Sequence, residues 1–206
     1  MSQTSPRTHN ITKEIRFAVV MYGGISLAIY MNGIAQELLT LVSSTANDSE
    51  KKGTASVYKE IAEYLSELTP AFGHKFVVDI ISGTSAGGIN GICLAKGLVR
   101  GLDNLKVLEK IWLDDGNIDT LLNDRESDLD RYPSKLPKSS LFNSQRMYSK
   151  LLGAFKDMEK DAHAATTPHI SSMDLFVTAT DLRGVQSAVR LSDEEAYEHI
   201  LSLIHI

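Results

Sequence analysis

The chain has 206 residues, a formal net charge of −5, 43% hydrophobic residues, one Cys and five Pro. That length and apolar share describe an ordinary globular domain with a sizeable core, and exclude a disordered, collagenous or disulfide-built chain. The acidic balance and the lack of a Lys/Arg stripe exclude broad phosphate-backbone binding, so no nucleic-acid partner is expected.

Residues 1–14 are polar and weakly periodic and read as a flexible N-terminal tail, with the domain over 15–206. Arg16 to Met21 is a short β-forming apolar run ending at Gly23-Gly24, the pattern of a strand buried on both faces. A helix follows from Ile25 to Val42; Asn32, Gln36 and Glu37 mark it as a buried helix rather than a membrane span. After a loop over 43–56, Val57, Ile61, Leu65 and Leu68 recur at helical spacing until Pro70 and Gly73. Phe76 to Ile81 predicts a second buried strand, running through Ser82-Gly83-Thr84-Ser85-Ala86-Gly87-Gly88 into a helix that reaches Leu98.

Asn104 to Leu113 predicts another helix, and the charged, Pro-containing stretch around 114–143 a surface excursion. Ser144 to Lys160 reads as helix, Asp174 to Thr180 as a third strand and Gln186 to Leu191 as a fourth. Ser192-Asp193-Glu194-Glu195 predicts a helix start. Leu201 to Ile206 stops in mid-pattern, which suggests a truncated chain with a non-native tail. Strands alternating with helices imply an α/β fold with a mainly parallel sheet and helices on both faces. One Cys forms no internal disulfide, and Met1 to Ile15 holds no secretory signal, so the expected location is cytoplasmic.

Gly83-Thr84-Ser85-Ala86-Gly87 fits G-x-S-x-G between a buried strand and a helix. A nucleophile on such a turn needs small residues two before and two after it, here Gly83 and Gly87. The helix start then sets free N–H groups and a positive dipole beneath the Ser85 hydroxyl. The competing reading is a glycine turn used only for close strand–helix packing. Tyr22-Gly23-Gly24-Ile25 is a second strand–glycine–helix junction, either a plain tight turn or a source of oxyanion donors. In the second case the donors are the N–H groups around Gly23, Gly24 and Ile25, joined by that of Ala86. Two such junctions at strand C-terminal ends favour one shared crevice. Neither carries the spacing of a dinucleotide fingerprint or the lysine of a P-loop.

At these residues the chain resembles the patatin-like phospholipases, through Phe17 to Gly33, Val77 to Leu94 and Leu175 to Leu182. Tyr22 to Gly33 is similar to a bacterial branch of patatin-related proteins. The resemblance implies a three-layer fold, incomplete at its C-terminus, and a lipid acyl hydrolase acting through a Ser–Asp dyad. It makes Ser85 the nucleophile and Gly23-Gly24 the oxyanion segment, acting on lipid acyl esters with no metal or cofactor and at most peripheral membrane contact. The usual G-G-G-x-Arg/Lys-G segment is altered: Tyr22 stands at its first Gly, Ser26 at the basic position and Leu27 at the last Gly. The family's base sits in Asp-Gly-Gly or Asp-Gly-Ala, and here Asp is followed by Gly only at Asp115-Gly116. Asp181 lies in the Ala-Thr-Asp segment and reads as structural. The base is therefore expected beyond Ile206, which leaves the 206 residues nearly inactive by themselves.

Two alternatives stay open: a non-catalytic patatin-like module that binds lipid or protein, and a Ser–His–Asp hydrolase using Asp181 and His199. His163 and His169 lack metal-ligand spacing. Cys93 reads as a buried thiol and Trp112 as a packing residue. Met147, Tyr148, Leu151 and Leu152 read as a helix core stripe. The oligomeric state is not expressed in any of these patterns.

Overall fold

The computed structural model describes residues 11–123, 140–162, 168–180, 186–191, 194–199 and 202–205. Strand β1 (Ile11–Met21) pairs in parallel with β2 (Phe72–Thr84), from Ile11 opposite Phe72 to Met21 opposite Gly83. Both strands start earlier than their apolar runs. A ladder needs only backbone groups, so polar residues such as Lys13 and Glu14 join wherever the neighbouring chain is extended. Between the two strands come a 3₁₀ turn (Ile25–Leu27), helix α1 (Ala28–Ala46) and helix α2 (Thr54–Leu68).

Helix α3 (Ala86–Arg100) leaves β2 directly, followed by α4 (Lys106–Asp114), the short α5 (Ile118–Leu121) and α6 (Ser144–Ala162). Strand β3 (Asp174–Ala179) returns parallel to β2 on its other side. Strands β4 (Gln186–Leu191) and β5 (Glu194–His199) form an antiparallel pair of their own. Strand β6 (Ser202–His205) lies antiparallel to β3, giving the order β1-β2-β3-β6. The fold is α/β, three parallel strands flanked by helices.

The expected helix after Ser192 is not formed: Glu194–His199 is a strand. Its register sets Glu195 opposite Arg190 and Ala196 opposite Val189. Backbone pairing with an adjacent β-forming run outweighs a local helix-start signal. The expected excursion after 113 also contains the helical turn α5 and a bridge between Leu122 and Phe142.

A bulge fixes the level at which the strands end. Phe17 faces Val78 but Ala18 faces Ile80, so Asp79 is passed over, and its carboxylate takes Arg16 Nη1 at 2.5 Å. Met21, Gly83 and Val177 consequently lie side by side across the three strands. On α1, Ala28, Met31, Ala35, Leu39 and Val42 recur on one face and join Ile81, Leu94, Leu98 and Leu175 in the core.

Candidate active site

Ser85 occupies the step from β2 into α3 with φ 55° and ψ −126°. It is the single non-glycine residue with positive φ among the described residues. Such a conformation costs on the order of 1–3 kcal/mol and persists only where its surroundings over-determine it. They do so here. Strand β2 is paired on both sides, and α3 fully buries Leu94 and Leu98, each contributing about 1.5–3 kcal/mol. Although Ser85 caps α3, its side chain makes no capping hydrogen bond. The residue is exposed, so its hydroxyl is offered to solvent rather than to the helix.

The elbow's glycines answer two different steric demands. A Cβ on Gly83 would stand 2.5 Å from the Gly87 carbonyl oxygen, the clash across the turn that the motif predicts. A Cβ on Gly87 would run instead into the Met21 carbonyl, and would lie 2.8 Å from that of Tyr22. Gly87 is small because α3 presses on the end of β1. This contact brings the two junctions together. A Cβ on Gly23 would lie 2.8 Å from Ser85 Cβ and 3.6 Å from its Oγ.

Gly24 has φ +143°, outside the range of ordinary side-chain-bearing residues, and its carbonyl accepts the Leu27 N–H at 3.2 Å. That bond closes the 3₁₀ turn begun by Ile25. Ala86 is the first residue of α3, where first-turn N–H groups lack intrahelical acceptors and the dipole end is positive. The step therefore combines a free hydroxyl, a neighbouring glycine backbone and a helix N-terminus. Close in sequence to the Gly23-Gly24 turn, Tyr22 is 78% exposed, and Leu27, Tyr30 and Ile34 are exposed as well.

Other candidates are engaged elsewhere. The Asp115 carboxylate is buried, bound by Arg146 Nη2 at 2.7 Å and Lys150 Nζ at 3.2 Å. Arg146 also donates to the Thr120 carbonyl, so the cluster braces α5 against α6. His169 is buried, its Nε2–H donating to the Leu102 carbonyl at 2.9 Å, and burial pulls its pKa down. Cys93 is fully buried and its thiol is pushed up to about 12 by desolvation, the state of an inert packing group. His199 stands opposite Gln186 in the β4–β5 pair, apart from the sheet that ends at Ser85. Asp181 and His163 lie outside the described residues. On α6, Leu151 and Phe155 meet the core, while Tyr148 and Leu152 are exposed. The described residues hold no metal-binding group of His, Cys, Asp and Glu, and no helix long and apolar enough to cross a membrane.

Two features beside the step escape a motif search. Thr178 on β3 donates from Oγ1 to Thr84 Oγ1 at 2.7 Å, tying the neighbouring strand to the residue before Ser85. Asn90 is fully buried in α3 and reaches both α1 and α4; its one visible signal is an amide in a run of small and apolar residues.

The family model described as patatin-like phospholipase matches residues 19–205. A Mycobacterium tuberculosis protein described as an uncharacterized membrane protein is 30% identical over 194 residues, covering 86% of this chain. The chain spans 16% of that relative's length. No solved structure matches.

Proposed function

This chain belongs to the patatin-like phospholipase family, whose members are lipid acyl hydrolases, and from that premise we propose that it attacks lipid acyl esters with Ser85 through an acyl-enzyme. The observation that carries this reading is the strained, exposed Ser85 at the step from β2 to α3, with Gly23 against it. A serine whose side chain makes no capping hydrogen bond and does not pack in the core gains nothing structural from that φ. The exposed apolar side chains of Tyr22 and Leu27, on either side of the Gly23-Gly24 turn in sequence, suit an acyl chain better than a charged substrate.

In this reading Ser85 Oγ attacks the ester carbonyl while its proton passes to a carboxylate base. The oxyanion takes N–H donors from the Gly23–Ile25 segment and Ala86, and gains from the α3 dipole. Collapse expels the alcohol, which takes up the proton. Water then attacks the acyl-enzyme and frees the fatty acid and Ser85. The family pattern seats the base in Asp-Gly-Gly or Asp-Gly-Ala. No such triplet occurs in the 206 residues, and Asp115, the one aspartate followed by glycine, is committed to Arg146 and Lys150.

Hydrolysis of p-nitrophenyl esters tests the reading. Turnover that rises with acyl length and disappears in Ser85→Ala supports it. Measurable turnover that persists unchanged in Ser85→Ala overturns Ser85 as the nucleophile. Loss of activity in His199→Ala, with Ser85 still required, replaces the dyad by a His-dependent triad.

A further inference from the structure

The Asn90 amide bridges the starts of two helices. Its Nδ2 donates to the Ala86 carbonyl at 2.9 Å, in the first turn of α3, and to the Ala28 carbonyl at 3.2 Å, the first residue of α1. Its Oδ1 accepts Trp112 Nε1–H from α4 at 3.3 Å. Both amide protons are therefore used, one on each helix. Packing alone does not explain the residue. Asn is a poor interior helix former, and a buried amide costs free energy unless bonded, so an apolar side chain would suit this buried helix better.

What the amide joins is specific. Ala86 immediately follows Ser85. Ala28 immediately follows the 3₁₀ turn, whose first carbonyl belongs to Gly24. The two carbonyls thus mark the base of each glycine junction, and the junctions meet where Gly23 touches Ser85. We propose that Asn90 is a positioning residue that holds the Gly23–Gly24 turn at its working distance from Ser85. It touches no substrate and acts through the two helix starts. The proposal rests on the reading of Ser85 as nucleophile, because small displacements between a nucleophile and its oxyanion donors are costly in rate.

Asn90→Asp keeps the shape and the Trp112 acceptor but removes both donors. Its rate of fluorophosphonate labelling at Ser85 should fall about tenfold, the order expected for two lost hydrogen bonds, with the probe's binding constant held within about twofold. Amide hydrogen exchange should rise about tenfold over Gly24–Ala28 and Gly87–Gly91 and stay at the parent level in α2. Asn90→Ser keeps one donor and adds no buried charge. It should show the same exchange pattern with about a threefold slower reaction, and serves if the Asp variant fails to fold. Trp112→Phe leaves both carbonyl bonds intact and should label at close to the parent rate. Labelling at the parent rate in the Asp and Ser variants overturns the proposal, as does exchange that rises equally in α2. A parent protein that never labels at Ser85 overturns the hydrolase reading instead, and the exchange pattern still decides whether Asn90 couples the two junctions.

Discussion

Gly23 and Ser85 lie so close that no side chain fits between them: a Cβ on the glycine would come 2.8 Å from that of the serine. One residue therefore reports on the shared crevice. Gly23→Ala should slow covalent labelling of Ser85 by about a hundredfold, the scale of a lost oxyanion donor. Gly33→Ala is the control, since a Cβ at Gly33 meets nothing within 4 Å. It lies inside α1 and should gain up to about 1 kcal/mol of stability with unchanged labelling.

The backbone at position 85 predicts an inverted stability order. At ordinary sites Gly is less stable than Ala by roughly 0.5–1 kcal/mol. At φ 55° and ψ −126° the Cβ is the source of strain. Ser85→Gly should therefore unfold at higher denaturant than Ser85→Ala, by about 1 kcal/mol, with neither variant labelled. The usual order in urea melts would mean that the step is not strained.

Cys93 should resist modification. Its thiol is fully buried and held up near 12, so the thiolate is scarce and out of reach at pH 8. A disulfide-exchange reagent should leave the native protein unmodified over an hour and titrate one thiol in guanidinium. Rapid reaction of the folded protein would show that α3 opens locally.

His169 sets an acid limit. Burial lowers its folded pKa below 6.5, against the smaller opposing pull of the Leu102 carbonyl. A group harder to protonate when folded adds stability above its unfolded pKa, and that stability is lost as pH falls through about 6.5 toward the folded value. The slope from this residue stays under about 1.4 kcal/mol per pH unit. Melts from pH 7.5 to 5 should flatten in His169→Gln relative to the parent, and equal slopes would remove His169 as the cause.

Elements carried by periodicity were readable in the residues: β1, α2, β2, α3 and α6 fall where apolar spacing puts them. Strand ends were not, because backbone pairing drew in polar residues such as Thr12 and Lys13. The strand Glu194–His199 was misread as helix because its partner Gln186–Leu191 outweighs the local signal. Around the candidate site, Ser85 and Gly83 follow from a motif whose steric logic is local, and Gly23 from a second glycine junction whose contact with Ser85 no local pattern records. The reason for Gly87 is not local, since its neighbour is the Met21 carbonyl at the end of another strand. Asn90 stayed hidden because its partners, Ala28 and Trp112, are far away in the chain and offer a backbone carbonyl and an indole N–H that no motif records.

In the proposed mechanism Ser85 is a nucleophile set against an oxyanion pocket. Fluorophosphonate labelling followed by peptide mass mapping tests it most directly, because an oxyanion pocket retains about 10³–10⁴-fold of catalysis even without an assisting base. One covalent adduct is expected, on Ser85, formed by the folded protein and absent in Ser85→Ala. An unlabelled protein, or an adduct on any other residue, would contradict it.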